Sequence, residues 1–420
     1  MKIRKCGLKV SAKQLVCFVL IWTIISGFLI DEIGISRQIT YLNDFLWLIL
    51  LILVVKKNFT LVFKRYGLRS IILCLGWYTL IVFFSIILNF VNPVLFLWAF
   101  RNGFRFFVYY IACICYLDDD DVDRLFDVMF FLHIINFILA IYQFLVLGLN
   151  MDYLGGIFGH GNGGVNNLFM VMLYCYFLCG YIVKKKSFFK VVFILVTSLI
   201  IAALAEEKAF FVYIIISTTI IIILNRPRIR SLLIITGIIM TIPIAVDILV
   251  ATNESWNLEV ITNFERMIEY GNTSYGLSRI NPFGQIKEMF FGDSIIKNLF
   301  GLGFGNCEYS DGIAIFNSEF YKRYSYLQYY DFVHQMKFLE TGILGFCLYL
   351  IFFIVNVVNT IKQLFKSKIK DYRYQFGIAY TIVVITSFWF SVAALRAEAY
   401  IIYFGIAVAS IIKKSQYKGK

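Results

Sequence analysis

The chain has 420 residues, of which 60% are hydrophobic, 18% aromatic and only 15% charged, with a formal net charge of +13. Soluble proteins carry about 25% charged and about 45–50% apolar residues, so too little polar side chain is present to coat a soluble enzyme. Disordered and collagenous chains are excluded by the same numbers, and the cation excess points to nucleic acid only if it is not explained by its position along the chain.

A bilayer span needs about 20 mostly apolar residues. Twelve such runs are predicted, over 14–31, 38–55, 70–90, 94–117, 126–148, 165–183, 188–205, 208–224, 231–250, 332–358, 374–393 and 398–412. The basic start Met1–Lys13 runs into the first without a small-residue cleavage site, which reads as a retained span. The expected fold is an all-α polytopic membrane protein. Nine spans occupy 1–250, an extracytoplasmic loop 251–331, and three spans 332–420.

The cations lie on alternate connections. They cluster at Lys2–Lys13, Lys56–Arg69, Arg124, Lys184–Lys190, Arg226–Arg230, Lys362–Arg373 and Lys413–Lys420, which together hold 27 of the 39 basic residues. By the positive-inside rule these connections are cytoplasmic, and an even span count puts both termini there. The acidic run Asp118–Asp121 falls on the same side, but acidic residues weigh little in orientation.

The loop 251–331 has two amphipathic stretches, Trp256–Tyr270 and Asn281–Phe300, expected to lie on the outer membrane surface, and it is rich in Tyr. Structureless loops of this length are usually functional. Eight of the nine Cys lie in or beside apolar segments, and Cys307 is alone in the loop, so no disulfide is expected there. Cys175 and Cys179 share a helical face, but two thiols make a poor metal site. No metal or cofactor is expected.

Ionisable groups in membrane segments are costly, so each needs a reason. Arg101 and Arg105 are four residues apart on one face of the fourth span, near its outer end. They either snorkel or hold a diphosphate. Glu206, Glu207 and Lys208 form a charged hinge between two apolar spans, either a tight outer turn or a phosphate contact. His160 and Asn162 lie in the glycine-rich Gly155–Gly164, which suits a re-entrant turn or a substrate cradle. Arg279 follows Ser278 in the loop, ahead of Gly301-Leu-Gly-Phe-Gly305. His334, Lys337 and Glu340 recur at three-residue steps where the tenth span opens, and a His can act as a general base near neutral pH. His133 reads as core, and Arg396 with Glu398 as a pair in the last outer turn.

Three of these stretches, taken in order, resemble the O-antigen polymerase and O-antigen ligase family of membrane glycosyltransferases. They are Gly156-Ile-Phe-Gly-His160-Gly-Asn162, Leu204-Ala-Glu-Glu-Lys208-Ala-Phe, and Ser278-Arg279 with Leu299–Gly305 and His334…Glu340-Thr-Gly342-Ile-Leu-Gly345. The ligase-like members carry Arg where this chain has Lys208. The resemblance covers about residues 155–345 and the twelve-span layout.

It implies transfer of glycans linked through diphosphate to undecaprenol, at the outer face of a bacterial cytoplasmic membrane, without metal or nucleotide sugar. In that scheme Arg279, Lys208, Arg101 and Arg105 hold the diphosphate, His334 takes the acceptor proton, Glu340 supports the region, and His160 and Asn162 line the substrate path. Implied partners are the lipid-linked oligosaccharide, the bilayer, and flippase and chain-length regulator proteins, with no nucleic acid. A polymerase of capsule or other surface polysaccharide repeat units is the first expectation. A ligase acting on another surface acceptor and a lipid-linked glycan transporter are the alternatives. A transporter would show paired interrupted spans and charges at mid-depth.

Overall fold

A computed structural model of the chain describes residues 11–225, 276–310, 312–366 and 371–418. The predicted span 231–250, the amphipathic stretch Trp256–Tyr270 and the cations Arg226–Arg230 lie outside the described residues. Every regular element among the described residues is helical.

In chain order the helices are α1 (Ala12–Asp31), α2 (Tyr41–Lys56), α3 (Phe59–Arg65), α4 (Arg69–Leu88), α5 (Pro93–Tyr116), α6 (Asp119–Leu145), α7 (Gly163–Ile182), α8 (Phe188–Leu204) and α9 (Lys208–Asn225). After the undescribed stretch come the short α10 (Pro282–Ile286), α11 (Ile295–Phe300) and α12 (Glu319–Tyr324), then α13 (Val333–Lys366), α14 (Tyr372–Ser387) and α15 (Tyr400–Lys418). Among the described residues, seven helices are long and apolar enough to cross a membrane. Their outward faces suit lipid as solvent: α4 alone exposes Leu73, Trp77, Leu80, Phe84 and Ile87.

Local sequence fixes where the helices start. Ser11 and Gln14 form a reciprocal capping box on α1, and Asn92 caps α5 with Pro93 in its first turn. The acidic run belongs to a helix start: Asp118 and Asp121 form the capping box of α6, where carboxylates favour the positive end of the helix dipole. α6 therefore begins earlier than the apolar run at 126 suggests.

Those carboxylates also pair with the cations of other connections. Lys13 lies 2.5 Å from Asp121, Lys414 3.4 Å from Asp118, and Lys190 3.0 Å from Asp127. Arg373 grips Asp371 through two hydrogen bonds and reaches Asp123 at 3.3 Å. The start of α1, the start of α6, the start of α8, the start of α14 and the end of α15 thus form one charged end of the bundle.

At the centre stands α7, buried along nearly its whole length and packed by α8, α9, α14, α6 and α15. A second layer joins α5 to α15 and α2, and α13 to α4 and α14. α13 is two helices in line, broken at Gly342, whose φ of 61° is left-handed. The break frees backbone carbonyls, which the loop after α11 satisfies. The amide of Leu302 donates to the Leu339 carbonyl at 2.8 Å, and that of Gly303 to the Glu340 carbonyl at 3.1 Å. Irregular backbone inside a bundle is tolerated where protein satisfies it.

The predicted amphipathic stretch Asn281–Phe300 is not a surface helix. It breaks into α10, a π-helical turn at Lys287–Phe291 and α11, interrupted at Gly292. Its apolar side packs inward: Ile286 and Phe291 share a small core with Met336, Phe338 and Phe346 of α13.

Candidate functional site

The end of α1, the starts of α2, α5, α7 and α13, and the turn before α15 meet opposite the charged end. They surround a cavity of about 720 Å³, within the usual 300–1,000 Å³ of small-molecule sites, whose walls mix charged and polar side chains with Ile30, Trp98, Met336, Val392 and Leu395. Arg101, Arg105, His160, Asn162, Lys337 and Arg396 line it, with Asp31, Arg37, Glu308 and Glu398. Four residues singled out in the sequence as substrate contacts, Arg101, Arg105, His160 and Asn162, are thus brought together from α5 and the turn before α7.

Each is held differently. Arg101 forms a two-pronged pair with Asp44, Nε to Oδ1 at 2.6 Å and Nη2 to Oδ2 at 2.8 Å. Its remaining nitrogen donates to Asn102 Oδ1 at 2.6 Å, and the guanidinium lies 4.5 Å over the Trp98 ring. Much of its charge is therefore already matched. Arg105, one turn on, is 3% exposed, and its Nε is buried without a hydrogen-bond partner. Its guanidinium sits 4.7 Å over Phe106 and 6.0 Å from the Tyr400 ring. A buried guanidinium with an orphaned donor at a cavity wall is a ready anion contact.

His160 is fixed from α1. Its backbone amide donates to Asp31 Oδ2 at 2.7 Å, and its Nε2 lies 3.0 Å from Glu32 Oε1. The Asn162 side-chain amide donates to the Phe158 carbonyl at 2.8 Å. The turn presses on α1 so closely that a Cβ on Gly27 would meet the Phe158 carbonyl at 1.9 Å. This contact gives Gly27 of α1 a packing reason.

On the opposite wall, Lys337 and Glu340 are 2% and 0% exposed and pair at 3.1 Å. Lys337 faces the cavity. Glu340 does not; its other oxygen accepts the amide of Gly305 at 3.0 Å, so it ties the glycine run 301–305 to α13.

Glu308 was not visible in the sequence. It is 6% exposed and lines the cavity, with Oε2 accepting from the Asn102 side-chain amide at 2.9 Å. Its pKa is raised to about 7, chiefly by burial and next by the Glu340 charge, against the opposing pull of Lys337, Asn102 and Arg101. Beside it the loop is anchored by Trp98, which stacks on Phe316 at 4.1 Å and donates to the Tyr309 carbonyl at 3.2 Å. Tyr309 and Tyr330 reach the cavity, and with Tyr321 they form a ring cluster at 4.8–5.4 Å.

Besides Glu340, three expected contributors, His334, Arg279 and Lys208, do not line the cavity. The His334 ring is 0% exposed, stacks on Trp389 at 5.4 Å, and its Nδ1 lies 2.7 Å from the Phe388 carbonyl. Arg279 is exposed in the loop with its guanidinium 4.9 Å over the Phe332 ring. Lys208 opens α9 after a turn in which Glu206 takes a left-handed φ of 54°. His133 is core, as read, bonded through Nε2 to Thr197 at 2.8 Å. No group of side chains suited to a metal ion occurs among the described residues.

No protein-family model matches the chain, and no curated protein matches it.

Proposed function

We propose that the protein is a membrane glycosyltransferase that polymerises oligosaccharide repeat units carried on undecaprenyl diphosphate, building a capsule or other surface polysaccharide. In this reading twelve spans cross a bacterial cytoplasmic membrane, the lysine-rich end and both termini face the cytoplasm, and the cavity opens on the outer side. The lipid-linked repeat unit is both donor and acceptor, and flippase and chain-length regulator proteins are the natural partners.

The observation that carries the reading is Arg105, a buried guanidinium without a hydrogen-bond partner for Nε at the wall of a cavity of about 720 Å³. Lys337 and Arg396 add positive charge on other walls. A diphosphate supplies the acceptors such a group lacks, and holding charge on the leaving diphosphate lowers the barrier to glycosyl transfer. The Tyr309 and Tyr330 rings give faces on which sugars pack.

The test is to purify the full chain in detergent, add the undecaprenyl-diphosphate-linked repeat unit, and separate the products by length. A ladder of longer lipid-linked glycans is expected, and Arg105→Ala abolishes it. Transfer only to an acceptor that carries no lipid diphosphate marks a ligase instead. Uptake of the lipid-linked unit into vesicles without a ladder marks a transporter.

A further inference from the structure

We propose that Glu308 accepts the proton of the attacking sugar hydroxyl. The assignment rests on the glycosyl-transfer reading above and names the proton acceptor within that site.

The base must reach the substrate. His334 is sealed between Trp389, Phe283 and the Phe388 carbonyl and lines no part of the cavity. Of the cavity's carboxylates, Asp31 is tied to the His160 backbone and helps hold the glycine turn. Glu398 sits in the turn before α15 beside Arg396. Glu308 is the one held by a side-chain amide, with one oxygen fixed by Asn102 and the other given no protein donor among the described residues. That free oxygen is what a substrate hydroxyl needs.

The support behind it is rigid. Asn102 accepts from Arg101 at 2.6 Å while donating to Glu308 at 2.9 Å, and Arg101 is locked to Asp44. The amide orientation is thereby set, and the carboxylate is aimed without being quenched by a direct cation pair. The charged groups facing it are Arg101 from α5 and Lys337 and Glu340 from α13; Cys307 and Tyr329 adjoin it from its own loop. Burial and the neighbouring carboxylate leave it titrating at about 7, where a base is half ionised at neutral pH and still strong enough to take a proton.

The step balances. The acceptor oxygen forms a bond to the anomeric carbon and gives its proton to Glu308. The bond from that carbon to the diphosphate oxygen breaks, and its electron pair leaves with the lipid diphosphate, whose charge Arg105 holds. Glu308 then loses the proton to water in the cavity. A single displacement of this kind inverts the anomeric centre.

The experiment measures turnover of the full chain against pH with the undecaprenyl-diphosphate-linked repeat unit, alongside binding of undecaprenyl diphosphate itself. Wild-type turnover is expected to rise with pH through an acid limb near 7. Glu308→Gln is expected to lower kcat about 100-fold or more, to lose that limb, and to keep diphosphate-lipid binding within about threefold. Glu308→Asp keeps a carboxylate and is expected to turn over well above Glu308→Gln, with a displaced limb. A wild-type ladder with unchanged kcat and limb in Glu308→Gln overturns the assignment alone. A wild-type protein that makes no ladder overturns the reaction and the assignment with it.

Discussion

Gly301 and Gly342 meet backbone to backbone: a Cβ on Gly301 would lie 2.6 Å from the Gly342 amide nitrogen, and one on Gly342 would lie 2.6 Å from that of Gly301. Two glycine runs about 40 residues apart in sequence are therefore one structural joint. The Ser85 hydroxyl bridges it, 2.8 Å from the Phe300 carbonyl and 2.9 Å from that of Glu340, while accepting the Phe304 amide at 3.2 Å. Both glycines have left-handed φ, 73° and 61°. Gly301→Ala or Gly342→Ala adds about 1–2 kcal/mol of backbone strain to a clash with main chain that cannot move aside. We expect each to cost at least about 3 kcal/mol in all, read as a large fall in melting temperature in detergent. Gly76→Ala, in α4 where nothing lies within 4 Å of an added Cβ, is the control and should be neutral or stabilising.

The Lys337–Glu340 pair is buried on both sides, so its two members are costly to separate. Lys337→Met leaves Glu340 with only the Gly305 amide, and the expected loss is about 3–5 kcal/mol. Lys337→Met with Glu340→Gln removes both charges and should recover most of it, because the glutamine carbonyl still accepts from Gly305. Thermal melts of the two single variants and the double variant check this. Additive losses would mean that the pair is not coupled.

Arg101 and Arg105 lie on the same helix face but are in different electrostatic states. Arg101 is matched by Asp44, whereas Arg105 forms no ion pair with a carboxylate among the described residues. Arg105→Ala should weaken binding of undecaprenyl diphosphate about 10- to 100-fold, the worth of one or two charge-assisted hydrogen bonds. Arg101→Ala should weaken it less than about fivefold and act mainly through loss of the Asn102 contact. Isothermal titration with the lipid diphosphate distinguishes the two. Equal losses would show that Asp44 does not neutralise Arg101.

The helices were legible because hydrophobic length is a strong signal: the runs at 94–117, 165–183 and 188–205 fall within two residues of α5, α7 and α8. Charge blurred one edge, at the acidic start of α6, where a helix dipole and five lysine or arginine partners make carboxylates at home. The pairing of Arg101 and Arg105 with His160 and Asn162 was readable in kind, since each was a polar exception in an apolar setting. Glu308 was not, because one carboxylate in a polar loop is unremarkable until α5 and α13 close on it. His334 shows the converse: an ionisable residue at the mouth of a span looks chemical in sequence, but its surroundings here are Trp389, Phe283 and Phe332. What decides between these residues is burial and tertiary partners, which three-residue spacing does not encode.

The raised pKa of Glu308 has a consequence for stability. A carboxyl that titrates at about 7 when folded and near 4.5 when unfolded binds more protons in the folded protein between those values. Below about 4.5 it is neutral in both states and costs nothing. As pH rises through the window the unfolded chain ionises first, so folding loses stability, and the loss is complete above about 7. Glu308→Gln never ionises, yet its side-chain carbonyl still accepts from Asn102. It should therefore match wild type near pH 4 and exceed it at pH 8 by on the order of 1–3 kcal/mol, while being the less active protein. Melting curves of both proteins at the two pH values measure this directly. A variant less stable than wild type at pH 8 would mean that Arg101 and Lys337 hold Glu308 ionised in the fold, and the carboxylate would then be a structural anchor instead of a group poised to exchange a proton.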